Sequence, residues 1–316
     1  MAQLYGRAAI DTLHERVGEE EQLRGRQSPD DETFNGVWGR IMAIGGRREG
    51  DSQGIYGDHG PRMNYQLYAL QIGADLYRRE DEDGVRDHAG VYGAMGQAQG
   101  KVRNWDGQVA GHDQIDAWSL GAYWTRFWGK GAYLDGVVQV TLFDAEAQSV
   151  RLPALKGDGK GLALSLEGGK PFRQAHDWIV EPQGQLIYQH FYGGEGSDEG
   201  GPVRFDQTDS LVGRIGLRVE RTWSRETGGG ETRMTTGWGR LNLRHEFLEQ
   251  PKTTFQTEDA DVSFLADTGK NWLELNGGLT RQMSNRSVIY LNAAYQWDLD
   301  GQGYAYSGKF GVRFNW

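Results

Sequence analysis

From Gly36 onward, the sequence alternates apolar and polar residues over unusually long segments. In segment 304–316, tyrosine, phenylalanine, valine and tryptophan occupy alternate positions, with small or charged residues between them. Segments 209–223, 232–247 and 286–298 repeat this pattern. Because successive side chains of a β-strand point to opposite faces, each segment would have one apolar and one polar face.

Twelve segments of this kind are predicted to be β-strands. They cover residues 36–47, 64–79, 87–101, 113–128, 131–144, 158–172, 177–191, 209–223, 232–247, 269–283, 286–298 and 304–316. Most exceed the ~9–11 residues with which a tilted strand crosses a bilayer, and also the ~5–6 typical of globular sheets. A soluble β-sandwich would alternate in the same way. The strand lengths, and the aromatic residues near strand ends, favour a transmembrane β-barrel.

The overall composition is compatible with such a barrel. Mean hydropathy is -0.67, and no run approaches the ~18 consecutive apolar residues of a membrane helix. Barrel strands escape that test because their lumen-facing positions are polar. Glycine is abundant at 48 residues and proline rare at 7, while cysteine is absent, so disulfides play no part. The net charge of -10, without a basic stripe, argues against nucleic-acid binding.

The predicted connections alternate between long and short. The long ones are 48–63, 102–112, 145–157, 192–208 and 248–268, and the short ones are 80–86, 129–130, 173–176, 224–231 and 284–285. Only 299–303 is short where a long connection is due. Outer-membrane barrels have short periplasmic turns and longer extracellular loops. An even strand number then predicts that both ends of the barrel region lie on the periplasmic side.

The first segment, from Ala2 to about Arg26, is predicted to be helical. It lacks proline, is rich in good helix formers, and spaces apolar residues at helical intervals (Leu4, Ala8, Leu13 and Val17). Ser28-Pro29 ends it. No signal peptide is recognisable, so we expect one upstream and interpret Met1 as an artificial start or an internal boundary. The predicted division is 1–32, linker and pore-spanning helix, and 33–316, barrel.

Five stretches together resemble one protein family. They are GVWGRIMAIGGR (36–47), DAWSLGAYWTRFWGKGAYLDGVVQ (116–139), DWIVEPQGQLIYQ (177–189), GRIGLRVE (213–220) and FGVRFNW (310–316). The resemblance is to the C-terminal translocator domain of pertactin-like monomeric autotransporters (type V secretion), and it covers nearly the whole chain. It implies a monomeric, twelve-stranded antiparallel transmembrane β-barrel in the Gram-negative outer membrane. It also implies that a helix spans the lumen, and that the barrel exports an upstream passenger domain and anchors it at the cell surface.

The C-terminal residues resemble the assembly signal of such proteins. Phe310, Val312, Phe314 and Trp316 stand at alternate positions and end on an aromatic residue. The resemblance implies that the barrel-assembly machinery binds this pattern. A simpler interpretation is that the chain ends in an edge strand, which closure against the first strand would protect.

Charged residues within the predicted strands are expected to face the lumen, because an arginine or lysine on the lipid face costs about 2–4 kcal/mol at mid-membrane. These residues are Asp135, Glu181, Arg214, Arg218, Glu220, Arg240, Arg244, Glu246, Lys309 and Arg313. The helix also carries both signs, at Arg7, Asp11, Glu15, Arg16, Glu19, Glu20 and Arg24. Two hypotheses remain open: the two sets pair and hold the helix as a plug, or they only hydrate a polar channel.

The motifs predict no catalytic, cofactor-binding or metal site. There is no G-x-S-x-G motif, Gly50-Asp51-Ser52 lies in a predicted loop, and the seven histidines lack metal-ligand spacing. Self-cleavage by Asp135 or Glu181 stays possible, although the chain lacks an Asn-Asn pair, and Gln22–Asp31 could contain a cleavage site. The alternative functions are an outer-membrane enzyme of protease or lipase type and a passive porin.

Overall fold

The structure is a computed structural model. It describes residues 1–18, 36–50, 60–129, 131–150, 153–198, 201–205, 207–226, 228, 232–248, 252–256, 261–265, 269–301 and 303–315. The predicted boundary between residues 32 and 33 therefore lies outside the described residues. So do Glu19, Glu20, Arg24, the segment 22–31 and Trp316.

Twelve long antiparallel strands form the molecule, accompanied by shorter strands. In chain order the strands are β1 (Gly36–Glu49), β2 (Arg62–Glu80), β3 (Arg86–Arg103), β4 (Val109–Phe127), β5 (Tyr133–Ser149), β6 (Leu155–Gly169), β7 (Phe172–Arg173), β8 (Trp178–Gly193), β9 (Glu195–Asp198), β10 (Gly201–Phe205), β11 (Thr208–Glu226), β12 (Thr232–Glu246), β13 (Lys252–Gln256), β14 (Asp261–Leu265), β15 (Asn271–Gln282), β16 (Ser287–Asp298) and β17 (Gly303–Asn315). The long strands are β1–β6, β8, β11, β12 and β15–β17. All twelve were predicted; the largest boundary error is at the end of β5, predicted at 144 and found at Ser149.

The barrel closes between its first and last strands. β1 pairs with β17 from Gly36↔Asn315 to Arg48↔Gly303, and β8 pairs with β11. Each long strand therefore has two hydrogen-bonded neighbours, so the edges that an open sheet would expose are absent from this ring of described strands. The predicted closed twelve-stranded antiparallel barrel is confirmed.

The outer face is apolar across the middle of the strands. Ile215, Leu120 and Leu291 are 66%, 64% and 56% exposed, and other large apolar side chains surround them on neighbouring strands. So large an exposed apolar surface is characteristic of a protein solvated by lipid. Among the described residues, no helix has the length and apolar character to cross a membrane.

The predicted alternation of loop lengths is wrong on one side of the barrel. Predicted connections 102–112 and 145–157 shrink to 104–108 and 150–154, because β3 to β6 continue past the apolar zone. Their outward side chains there are polar (Gln99, Gln114, Asp144, Glu146 and Lys156). The extra residues form a tall polar wall instead of long loops. On the opposite side, β15, β16 and β17 contain only 12, 12 and 13 residues.

The N-terminal helix is inside the barrel and is broken. α1 spans Ala2–Ile10 and α2 spans Leu13–Val17. Asp11 between them has a φ of 55°, in the left-handed region, so the predicted continuous helix to Arg26 is wrong. The Asp11 side chain turns toward the barrel wall, where its charge is paired. Tertiary contacts therefore override the local helix propensity at this position.

Candidate functional site: the helix and the barrel lumen

The two helices run along the lumen from one end of the barrel to the other. Met1 packs near Gly100, close to the end of β3, and Gly18 packs against Tyr290, close to the start of β16. Because β3 and β16 both begin at the barrel end where Gly36 lies, the chain enters at the far end and descends toward the Gly36 end. The lumen is therefore occupied along much of its length.

Five charged side chains form the Asp11–Glu15 cluster between the helices and the wall: Asp11, Glu15, Arg40, Arg240 and Lys309. Arg40 donates to Asp11 at 2.8 Å, and Arg240 donates to Glu15 at 2.6 Å. Lys309 donates to Asp11 and, at 3.3 Å, to Glu15. Each of the five is at most 8% exposed. Buried charges are tolerated when paired in this way, and a partner's removal is costly.

The wall also satisfies the carbonyl groups left open at the helix break. Arg40 donates to the Ala9 carbonyl at 3.0 Å and to the Glu15 carbonyl at 2.9 Å. Gln71 donates to the same Ala9 carbonyl at 3.0 Å, and Gln185 donates to the Asp11 carbonyl at 2.7 Å. The last carbonyls of a helix need such partners. Side chains of the barrel thus stabilise the break at Asp11.

A second anchor lies on the other side of the helix, where Arg16 donates to Asp135. The Arg16 NH2 group is 2.7 Å from the Asp135 carboxylate, and Thr125 donates to the same carboxylate at 2.6 Å. Arg16 is fully buried and Asp135 is 1% exposed. The guanidinium of Arg16 also lies over the Tyr123 ring, 5.0 Å from the ring centre. Cation–π contact and charge pairing therefore act together here.

Two further acids meet the start of α2. Glu167 accepts hydrogen bonds from the Leu13 backbone N–H at 3.1 Å and from the Tyr133 hydroxyl at 2.7 Å. Glu181 lies 3.1 Å from His14 Nε2. An acid at the first turn of a helix accepts from N–H groups that have no partner within the helix. The wall therefore caps α2 as well as the end of α1.

The sequence-predicted lumen charges divide into two groups in the structure. Four contact the helices: Asp135, Glu181, Arg240 and Lys309. The remaining six bind other wall residues. Arg214 lies 3.2 Å from Glu167, and Arg218 pairs with Glu220. Arg244 donates to Glu274 at 3.0 Å, Glu246 accepts from Ser210 at 2.5 Å, and Arg313 donates to Asp75. All ten are buried except Arg244, which is half-buried. Arg244 thus pairs within the wall and not with the helix.

Aromatic residues inside the barrel were missed by the sequence analysis. Trp38, Tyr92, Tyr123 and Tyr133 are at most 5% exposed and pack against the apolar side chains of the helices. Trp38 donates to the Tyr123 hydroxyl at 3.0 Å. The sequence analysis considered aromatic residues only as a feature of strand ends and gave these four no position. The signal that could have found these four is their position, since they stand on the polar, inward side of the alternation.

The predicted assembly-signal residues lie on the outer face of β17. Phe310 and Phe314 are 42% and 53% exposed, and Val312 is half-buried. Trp316 lies outside the described residues. Elsewhere in the described part of the chain, no group of three or more His, Asp or Glu side chains is arranged to hold a metal ion.

The comparisons with known proteins agree with this geometry. The family model "Autotransporter beta-domain" matches residues 37–294. The pertactin autotransporter of Bordetella parapertussis is 30% identical over 217 residues, which are 67% of this chain and 21% of that protein. The chain thus spans about a fifth of the pertactin relatives' length.

Two solved structures share the fold. The transport unit of the autotransporter AIDA-I from Escherichia coli has a TM-score of 0.73 at 19% identity and covers 98% of both chains. The translocator domain of the autotransporter NalP from Neisseria meningitidis has a TM-score of 0.69 at 14% identity, covering 100% of this chain and 96% of that one. The chain therefore belongs to the autotransporter β-domain family, the translocator barrels of the Gram-negative outer membrane.

Proposed function

We propose that this barrel carries an upstream passenger segment to the cell surface and afterwards anchors it, with the helices closing the pore. The observation that carries the proposal is the path of the helices through the lumen. The even strand number sets Gly36 and Asn315 at one end of the barrel, which outer-membrane barrels turn to the periplasm. Met1 lies toward the other end. A passenger joined before Met1 would therefore emerge outside the cell.

We propose that the Asp11–Glu15 cluster holds the helices in place after export. Its three wall cations come from β1, β12 and β17, so they reach the helices from several strands at once. A pore without the helices would leave Arg40, Arg240 and Lys309 without these two carboxylates, and water would have to enter to solvate them. These wall cations would thus pair with the helix carboxylates in the closed pore and be hydrated in the open pore.

We propose the domain division 1–32, linker and plug, and 33–316, barrel.

The barrel acts as a monomer surrounded by outer-membrane lipid, since its apolar outer face needs no protein partner in a bilayer. The alternate outward residues Phe310, Val312 and Phe314, followed by Trp316, suit binding by the barrel-assembly machinery before β17 closes against β1. Export then depends on folding of the passenger outside the cell and not on enzymatic turnover.

We propose that the domain has no enzyme activity of its own, including cleavage of its passenger. A catalytic carboxylate must be able to take up a proton from its substrate. The two candidate acids already accept hydrogen bonds: Asp135 from Arg16 and Thr125, and Glu181 from Gln183. These contacts support positioning of the helix over proton transfer.

The proposal is tested by export of a reporter. A small unfolded segment with an epitope and a protease site is fused before Met1, behind a signal peptide, and expressed in a Gram-negative host. We expect protease added outside intact cells to remove the epitope. Barrels that assemble while the epitope stays protected in the periplasm would contradict the function. The second arm is a fusion that carries Asp135→Asn and is compared with wild type for release of the passenger without added protease. Equal release from both supports the absence of self-cleavage by Asp135. Release from wild type alone would contradict it.

A further inference from the structure

A cavity of about 80 Å³ lies beside α1, between the helix and strands β12, β15, β16, β17, β1 and β2. Its lining includes Arg7, Tyr65, Arg244, Trp272 and Lys309. One water molecule needs at least about 10–15 Å³ measured in this way, so the cavity has room for several waters or one small ion. The cavity is separate from the Arg16–Asp135 anchor, which lies against β4 and β5.

Two arginines, Arg7 and Arg244, line this cavity, and Arg48 lies beside it. The guanidinium carbons of Arg7 and Arg48 lie over the same Trp272 ring, 5.7 and 5.5 Å from its centre. The positive charges of Arg48 and Arg244 both repel the Arg7 guanidinium. Like charges held together away from bulk water repel one another, and an anion between them would remove that repulsion.

The nearby carboxylates are already engaged by other groups. Asp11 accepts from Arg40 and Lys309, and Glu274 accepts from Arg244 at 3.0 Å and from Asn242 at 2.9 Å. Glu246 is the nearby acid that attracts Arg7. Its oxygens accept from Ser210 and from the Leu211 N–H. Among the described residues, none of these acids accepts a hydrogen bond from Arg7 itself.

Several hydrogen-bond donors around the cavity are unused. The half-buried Arg7 side chain donates to no oxygen of the described residues. Within the same described part of the chain, the buried Tyr65 hydroxyl and Arg244 Nε also lack a partner. Buried donors in proteins are nearly always satisfied, so donors that line one cavity together indicate an acceptor inside it. The donors approach from the helix, from β2 and from β12.

We propose that this cavity binds a small inorganic oxyanion of the sulfate or phosphate class. Arg7 is its main ligand, with Arg244 and the Tyr65 hydroxyl completing the shell. A tetrahedral oxyanion offers acceptors in several directions, which suits donors from three separate elements, and charge-assisted bonds to arginine are strong. The bound anion links α1 to the wall on the side where the helix has few apolar contacts. The inference does not depend on passenger export.

The test is the thermal unfolding midpoint of the purified barrel in detergent, titrated with 0–10 mM sodium sulfate. Sodium chloride keeps the ionic strength constant. We expect a saturable rise of about 2–3 °C in the wild type, because a ligand that binds only the folded state stabilises it. Arg7→Gln should abolish the rise. Lys156→Gln, which removes the same charge from a 75% exposed side chain on the outer wall, should retain it.

No saturable rise in the wild type, or the same rise in Arg7→Gln, would overturn the proposal. A parallel measurement covers the case in which Arg7→Gln does not fold. Wild-type crystals soaked in selenate should give an anomalous peak within hydrogen-bond distance of Arg7 and Arg244. A map with selenate elsewhere only, or water alone in the cavity, would equally overturn it. The titration is repeated with phosphate, because the geometry suits both tetrahedral anions.

Discussion

The helices meet the barrel wall in two different ways on their two sides. On the packed side, Tyr5, Ile10, Leu13 and Val17 are at most 4% exposed and lie against aromatic and aliphatic residues of the wall. On the charged side, the Asp11–Glu15 cluster and the Arg7 cavity separate the helix from β12 and β15–β17. Apolar packing around the Arg16–Asp135 pair on one side thus contrasts with a cluster of five paired charges on the other.

The two sides should therefore contribute differently: one to how strongly the helices bind in the pore, the other to where they bind. Apolar burial stabilises at roughly 25 cal/mol per Å² and is not directional. A buried ion pair adds little net stability because desolvation offsets its attraction, yet losing one partner is costly. The packed side should therefore provide most of the free energy of binding. The charged side should select one depth and rotation of the helix in the pore.

The aromatic wall of the packed side depends on glycines opposite the rings. A Cβ atom at Gly121 would lie 2.2 Å from the Tyr92 ring, and one at Gly73 would lie 2.3 Å from the Trp38 ring. Such distances are too short for any side chain. The rings can lie flat against the neighbouring strand only because these positions lack a Cβ. The lumen side of the sheet is shaped in this way to receive the helix.

Glu15→Gln gives the largest expected effect, on the charged side. The substitution keeps the shape but takes from the buried Arg240 the carboxylate that it binds at 2.6 Å. Breaking a buried pair costs about 3–5 kcal/mol, which corresponds to a roughly 10²–10⁴-fold shift from closed to open pores. Single-channel recordings in planar bilayers measure that ratio. A chain lacking residues 2–18 defines the fully open conductance.

Two further variants make the Glu15 experiment specific. Glu146→Gln removes a half-buried carboxylate 3.6 Å from Lys156 on the outer wall and should change the ratio by no more than about 1 kcal/mol. Arg240→Met in the Glu15→Gln background removes the unpaired charge and should recover much of the closure. Equal ratios in wild type and Glu15→Gln would show that the cluster does not position the helix.

The barrel could be predicted from sequence because its signal is local and repeated. Lipid on one face and water on the other impose a period of two along every strand, so strand existence needs no knowledge of partners. Loop lengths were less predictable, because β3 to β6 keep their pairing where their outward residues become polar. The helix break at Asp11 was missed because it depends on Arg40 and Lys309, which lie far away in the sequence.

The site was predictable only in part, for a related reason. Alternation indicates which charged residues share the inner face, but pairing depends on barrel closure and on the depth of the helix. Arg240 and Glu15 are 225 positions apart, and Arg244, two repeats of the alternation further along β12, binds Glu274 and not the helix. Trp38 and Tyr92 were missed because only charged residues were considered as lumen-facing partners of the helix.

Ile10→Ala tests the packed side and should have the next largest effect. Ile10 is fully buried in the cluster that contains Trp38 and Tyr92. Truncating a buried isoleucine costs about 2–5 kcal/mol through lost burial and the cavity left behind. Hydrogen exchange of the α1 amides should accelerate accordingly, while the wall charges keep their partners. Ala8→Gly, half-buried on the same helix, controls for helix propensity at about 1 kcal/mol. Unchanged exchange in Ile10→Ala would remove the distinction between the two sides.

Tyr133→Phe tests whether the packed side also positions the helix, and it should have the smallest effect. The hydroxyl donates to Glu167 at 2.7 Å, and the same carboxylate accepts from the Leu13 N–H at the start of α2. Losing a hydrogen bond to a charged acceptor costs about 1.5–3 kcal/mol, but the ring remains in place against the helix. We expect faster exchange confined to the amides of α2, with α1 and the closed-to-open ratio unchanged. If Tyr133→Phe opened the pore as readily as Glu15→Gln, polar contacts on both sides would position the helix, and the division between a stabilising side and a positioning side would be wrong.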